Sequence, residues 1–429
     1  ANYDILTGLP NRMLALDRLK LALAQARRES SLVGVMFLDL DNFKHINDTL
    51  GHEAGDNLLI EAARRISSCL RGTSTVARLG GDEFLVVLPG LPNVETATQI
   101  AQRILATFLP PYVLNSTEVF VTTSIGISIF PQDSDNSGLL LQHADAAMYQ
   151  AKNKGKSAYA VFTPEMTEVS HDRLQMESLM RRALGHQEFE LHYQPIVRTE
   201  TGQLCFAEAL LRWRSPSLGM VMPDHFIPLA EETGLIIPIG EWVLQQACLA
   251  AVQWREQTGN DIGIAVNVSP RQFRDPKFVD IVMQALEQSG LAPEQLELEI
   301  TERLILDNTI ETAEILRKLD QSGIRLSVDD FGTGYSALSY LKSYPFDTLK
   351  IDKSFIQDVM KEQDDASLVK AIINMAHSLG LRVIAEGVEE EAQTHFLQLE
   401  NCDFSQGYFY SRPIDADDFR AWLATNHRV

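Results

Sequence analysis

The sequence predicts an α/β protein in two parts: an α/β sandwich with one sheet, followed by an eight-stranded α/β barrel. Three observations predict it. Strand-length apolar runs alternate with helix-length amphipathic stretches along the chain. The pattern changes near residue 163, and eight further apolar runs then follow over roughly 240 residues, the span of a barrel domain. Most of those eight runs carry a polar residue at or near their C-terminal end, the rim where barrels of this kind gather functional groups.

In the first part, an amphipathic helix is expected over Arg12–Arg28 and an apolar strand over Leu32–Leu38. A helix at about Asn57–Leu70 follows, then a strand-turn-strand unit, Ser74–Leu88, with Gly80 and Gly81 at its turn. A helix (Val94–Leu109), a strand pair (Tyr112–Leu114 with Phe120–Phe130) and a last helix near Leu139–Lys152 complete it. Residues 164–182 are polar and helical in pattern and read either as a linker between domains at 1–163 and 183–429 or as the first helix of the second domain. The eight runs beyond it are FELHYQPIV, CFAEALLRW, IGIAVNVS, LELEIT, IRLSVDD, TLKID, RVIAEGV and FSQGYFY, which fit a barrel of the triosephosphate-isomerase type.

Composition narrows the function. Of 429 residues, 45% are hydrophobic and 22% charged, as in a globular protein. With 37 basic against 58 acidic residues the net charge is −21, and binding of polymeric nucleic acid, which needs clustered Lys and Arg, is not expected. An anionic substrate would need metal ions or locally placed cations. Cys69, Cys205, Cys248 and Cys402 are far apart in sequence and read as free thiols of a reducing compartment, so a cytoplasmic location is expected. No apolar run near the start is long enough to span a membrane. The opening ANYDILTGLPNR reads as part of a longer protein, in which a sensor or inner-membrane anchor could precede it.

The polar run ends supply Glu208, Asn267, Glu299, Asp329, Asp330, Lys350, Glu386 and Gln406. Carboxylates crowded into one pocket repel unless cations neutralise them. Oxygen donors without Cys or His select Mg²⁺ or Mn²⁺ over zinc. Two such ions ~3.5–4 Å apart would clamp a phosphodiester for in-line attack. Lys350 could orient the attacking water, and Arg212, four residues after Glu208, could fork onto a phosphate.

The segments EALLRW (208–213), NVS (267–269), EITE (299–302), DDFGTGYS (329–336), KID (350–352), EGVE (386–389) and QGY (406–408) resemble the EAL family of cyclic-di-GMP phosphodiesterases across the whole second part. The resemblance implies hydrolysis of cyclic-di-GMP to linear pGpG. It implies that Glu208, Asn267, Glu299 and Asp329 hold one metal, with Asp329, Asp330 and Glu386 at the second. Lys350 would orient water; Gln194, Arg212, Gln406 and Asp352 would border the substrate. Glu302 would hold the DDFGTGYS loop and couple it to dimerisation.

In the first part, FLDLDNFKHINDTLGHEAGD places Asp39 and Asp41 at a strand end, and RLGGDEF places Asp82 and Glu83 beyond two glycines that allow close substrate approach. Together with DILTGLPNR and DAAMYQAKNKGKS these segments resemble the GGDEF family of diguanylate cyclases. That resemblance implies metal at Asp39 and Asp82. It implies GTP contacts from Lys44, Asn47, Asp56, Gly80, Gly81, Glu83, Lys152 and Lys156. One departure stands at Arg71-Gly72-Thr73-Ser74, where Ser74 replaces the aspartate of the RxxD product-inhibition motif, so weak product inhibition is expected.

The favoured expectation is a phosphodiesterase whose first domain binds GTP and activates it, in a homodimer. A bifunctional cyclase and phosphodiesterase is the alternative, and a non-catalytic cyclic-di-GMP receptor the third.

Overall fold

The computed structural model describes all residues except 1, 71, 115–116, 260, 306–308, 333–340, 362 and 426–429, and leaves the side chains of 44, 45, 48, 49, 168–172, 174, 303 and 363 undescribed. The chain forms two compact units, residues 1–174 and 175–429.

The first unit is built on strands β1 (Leu32–Leu40), β2 (Thr75–Gly80), β3 (Glu83–Leu91), β4 (Tyr112–Leu114), β5 (Thr117–Val119), β6 (Thr123–Phe130) and β7 (Tyr159–Val161). The main sheet has the order β2-β3-β1-β6-β7. Side chains on β1 alternate between its faces. Val33, Val35 and Phe37 pack with the helices Arg12–Glu29 and Ser137–Asn153; Met36, Leu38 and Leu40 pack with His52–Ser68 and Val94–Phe108. Helices thus cover both faces, as the apolar pattern requires. The expected strand pair is corrected: β4 pairs with β5 as a separate hairpin, and β6 joins the main sheet beside β1. The residues of β6 are buried along its length, which suits a strand inside a sheet rather than one arm of an exposed hairpin.

Gly126 of β6 shows how closely the last helix approaches. A Cβ there would collide with the backbone carbonyl of Ala144 and the backbone nitrogen of Met148. Backbone atoms inside a packed helix cannot step aside, so Gly126→Ala is expected to destabilise this unit by about 3 kcal/mol. Denaturant midpoints checked against the m-value would measure it.

The second unit contains β8 (Phe189–Arg198), β9 (Leu204–Ser215), β10 (Gly219–Val221), β11 (Gly263–Val268), β12 (Leu296–Thr301), β13 (Arg325–Phe331), β14 (Thr348–Ile351), β15 (Arg382–Ala385) and β16 (Phe404–Gln406). Neighbours run β9-β11-β12-β13-β14-β15-β16-β8, and β8 returns to β9, closing an eight-stranded barrel. All eight runs read as strands contribute one. One orientation departs from the all-parallel expectation: β8 is antiparallel to both β9 and β16. The cause is the short connection Thr199–Gln203, closed by Gly202 N–H donating to Arg198 O. So short a link makes a hairpin, whereas a parallel neighbour needs a crossover of a dozen or more residues. Among the described residues, no helix is long and apolar enough to cross a membrane.

Candidate functional site at the barrel rim

Strand alternation decides which side chains enter the barrel. Glu297 and Glu299 lie two apart on β12, and the register sets Asn267 beside Glu299 and Ala265 beside both Glu297 and Glu208. Seven neighbouring strands, β9 and β11–β16, bring polar groups to the same rim, in or just beyond the strand. Glu208, Glu299, Lys350 and Gln406 are buried there, with Gln194 from β8.

These groups form one connected array. Asn267 Nδ2 donates to Glu208 Oε1 at 2.6 Å, and Gln406 Nε2 donates to Glu208 Oε2 at 2.6 Å and to Gln194 Oε1 at 3.1 Å. Lys350 Nζ, fully buried, lies 2.7 Å from Glu299, 2.7 Å from Glu386, 3.5 Å from Asp329 and 3.6 Å from Glu208. Ligating oxygens of Asp329, Asp330 and Glu386 fall within 4.8 Å of one another. Asp330 takes a φ of +55°, a strained conformation for a residue with a side chain, which brings its carboxylate next to that of Asp329.

Electrostatics follow from burial and crowding. Burial disfavours the charge on Lys350, but four carboxylates outweigh it and hold the ammonium well above its ordinary range. Burial, with the Glu208 charge beside it, pushes Glu299 well above the carboxylate range. Glu208 is lowered: burial works against its charge, while Lys350 and the two amide donors outweigh burial. Burial pushes Glu386 up to about 8, and Asp330 is raised by burial and by the neighbouring Asp329 charge.

A cation pair fits this array. Five carboxylates face one ammonium, so two divalent charges would balance them. Glu299 Oε1 is buried and accepts no hydrogen bond, an orphaned oxygen that a cation would satisfy. All donors are hard oxygens, the set that suits Mg²⁺ or Mn²⁺. The raised carboxyls must shed protons to ligate, so Mg²⁺ binding is expected to release protons and tighten between about pH 7 and about 9. Calorimetric titration in buffers of different ionisation enthalpy would count those protons.

Two cavities open at the rim. One of about 480 Å³ is lined by Gln194, Glu208, Arg212, Asp329, Glu386 and Gln406 among others. The other, about 430 Å³ and mostly apolar, meets it at Leu210, Asp224 and Asp329 and reaches Asn267 and Asp330. Arg212 is half-buried beside this space, one Nη bonded to Leu211 O at 2.9 Å. Asp352 lines neither cavity; it caps the helix Lys353–Gln357, accepting from Ser354 N at 2.9 Å. Glu302 is buried and accepts from Gly332 N at 3.2 Å, gripping the start of the DDFGTGYS loop. The rest of that loop, 333–336, lies outside the described residues. Sequence reading missed Glu297: it is buried below Glu299 with one oxygen undonated, and its nearest ionic partner is Arg382 at 3.8 Å. The alternation of LELEIT was the available signal.

In the first unit, the turn at Gly80 (φ +149°) and Gly81 (φ +52°) sets Glu83 opposite Asp39 in register, and Leu40 N donates to Asp82 O at 3.3 Å. Lys152 Nζ meets Asp39 Oδ1 at 2.7 Å. Burial pushes Asp39 up to about 6 despite that lysine, with Asp82 and Asp41 adding to the rise; burial, with Asp145 and Asp82, also raises Glu83. Asp39, Asp82, Glu83 and Lys152 are therefore brought together. Lys156 Nζ donates to Asn42 Oδ1 at 2.7 Å. Asn47 lies over Gly55, where a Cβ would strike its side-chain amide, and Asp56 is exposed one residue on. The side chain of Lys44 and all of Arg71 lie outside the described residues.

Residues 177–413 match the family model of the EAL domain, and residues 1–158 match that of the diguanylate cyclase GGDEF domain. The chain is 43% identical over 424 residues to the bifunctional diguanylate cyclase/cyclic di-GMP phosphodiesterase MucR of Pseudomonas aeruginosa, covering 99% of this chain and 62% of that protein. It is 42% identical over 414 residues to the cyclic di-GMP phosphodiesterase NbdA of the same organism, covering 96% of this chain and 53% of that one. The chain thus spans little more than half the length of these relatives. A solved structure of the PaMucR phosphodiesterase in complex with c-di-GMP matches 57% of this chain and 99% of its own, at 43% identity and a TM-score of 0.55. Matched along nearly its whole length in this way, the chain belongs to the EAL family, with a GGDEF domain preceding its EAL domain.

Proposed function

We propose that this chain hydrolyses cyclic-di-GMP to pGpG at the barrel rim, and that its first unit binds GTP and raises that activity. The observation that carries the hydrolytic reading is Lys350, buried and held within 3.6 Å of four carboxylates, three from separate strands and Glu386 just beyond β15. The domains are taken as 1–163 and 183–429, joined through 164–182.

Glu208, Asn267, Glu299 and Asp329 would hold one divalent cation, and Asp329, Asp330 and Glu386 the second. Bound there, the cations supply Lewis-acid polarisation of the phosphodiester and lower the pKa of water. The protein's own groups do the rest. The amides of Asn267 and Gln406 fix both oxygens of Glu208. Lys350 keeps its protons at neutral pH and can donate one N–H to the attacking water while its other contacts stay in place. Arg212 offers a guanidinium fork beside the cavity to a phosphate. Glu302 steadies the loop that follows Asp330, and the same loop is the proposed route to a homodimer partner. A cytoplasmic location is proposed for this region.

The test is hydrolysis of cyclic-di-GMP with Mg²⁺ or Mn²⁺, with and without GTP, followed by chromatography for pGpG. GTP is expected to increase the rate, and Asp82→Ala to remove that increase while leaving basal hydrolysis in place. No pGpG under either condition would favour a receptor. The convergence of Asp39, Asp82 and Glu83 keeps the bifunctional reading open. It is favoured if Glu208→Ala, given GTP alone, accumulates cyclic-di-GMP.

A further inference from the structure

The end of β1 presents three acceptors close together in sequence, and each holds one part of the same distant segment, residues 152–157. Asp39 Oδ1 holds the Lys152 ammonium at 2.7 Å. Asn42 Oδ1 holds the Lys156 ammonium at 2.7 Å. Asp41, between them, is buried and accepts the backbone N–H of Ser157 at 3.1 Å, with hydroxyls from Thr122 at 2.6 Å and Ser124 at 2.7 Å.

The segment so held is strained. Gly155, Lys156 and Ser157 take φ values of +116°, +63° and +48° in succession. Two adjacent residues with side chains in the left-handed region persist only where surrounding contacts over-determine them. Among the described residues, Asp41 is the charged group that accepts from that backbone, and a hydrogen bond from an N–H to a carboxylate is a strong, directional hold. The hydroxyls of Thr122 and Ser124 fix the carboxylate in turn, so its orientation toward Ser157 does not depend on that one contact.

We infer that Asp41 is a positioning residue for GTP: it locks the Gly155-Lys156-Ser157 turn in a high-energy conformation that aims Lys152 and Lys156 at the polyphosphate. This rests on the reading of the first unit as a GTP site. The Asp41 carboxylate is committed to Thr122, Ser124 and Ser157, so its role in this reading is to position and not to bind. Its contribution falls on the phosphates the two lysines would meet and not on the guanine.

The experiment is calorimetric titration of the whole chain with GTP and with GMP in Mg²⁺, alongside hydrogen exchange at the Ser157 amide. Asp41→Asn is expected to weaken GTP about 10-fold and GMP less than about 2-fold, so that the preference for the triphosphate collapses. Ser157 exchange should accelerate. In a Lys156→Ala background the same substitution should have a clearly smaller effect on GTP, because the two act through one contact. Asn42→Gly keeps the backbone conformation and removes only the Lys156 acceptor. It is expected to weaken GTP selectively as well; should Asp41→Asn fail to fold, Ser124→Ala, which removes one donor that fixes the Asp41 carboxylate, is expected to give the Asp41→Asn pattern more weakly. Equal weakening of GTP and GMP, or unchanged GTP affinity with unchanged Ser157 exchange, overturns the positioning role. Absence of GTP binding by the unsubstituted chain overturns the GTP reading instead, and the exchange result still decides whether Asp41 holds the turn.

Discussion

Lys350→Met is expected to cost about 3–5 kcal/mol of stability in cation-free protein and to lower hydrolysis by roughly 10²–10⁴-fold. The side chain is fully buried, and its ammonium is the positive centre of a ring of Glu208, Glu299, Asp329 and Glu386. Methionine keeps much of the volume and removes the charge. The carboxylates would then repel one another without compensation, which is the costly way to break a buried ionic cluster. Divalent cations can replace the lost charge, so saturating Mg²⁺ should recover most of the stability but not the turnover. Thermal unfolding with and without Mg²⁺, beside a pGpG assay, separates the two. Equal destabilisation in both conditions would mean that the carboxylates do not gather around cations.

Glu208→Gln is the second large effect. Both carboxylate oxygens are committed as acceptors, Oε1 to Asn267 and Oε2 to Gln406. Glutamine has one oxygen, so one of those amides must face another NH₂. The substitution removes a charged ligand and also turns the array that positions Asn267 and Gln406. Hydrolysis is expected to fall by at least about 10³-fold, about 4 kcal/mol of barrier. Mg²⁺ affinity should weaken in the same variant, read by calorimetry. Turnover within about tenfold of the unsubstituted chain would remove Glu208 from the chemistry.

Much of this was legible from residue patterning. Polar groups closing apolar runs located Glu208, Asn267, Glu299, Asp329, Lys350 and Glu386 because a barrel interior has only two environments along each strand, and a charged group survives where it has partners. The same logic applied one step lower reveals Glu297, which a reading confined to run ends passed over. Strand direction was not legible from composition: FELHYQPIV would suit either orientation, and the length of the connection after it decided the matter. Asp41 illustrates another limit. Its acceptor role depends on Ser157, more than a hundred residues away in sequence, and no local pattern announces that meeting. Conversely, Asp352 sits in a recognisable motif yet spends its carboxylate on a helix start.

The reversal of β8 changes where the polypeptide enters the barrel. In an all-parallel cylinder the leading strand begins at the floor, remote from the chemistry. Here Phe189 begins at the mouth, and within five residues the chain reaches Gln194, whose side chain meets Gln406. A pull or twist arriving through the preceding residues is therefore delivered first to the rim where the polar groups gather, with only a few peptide units to absorb it.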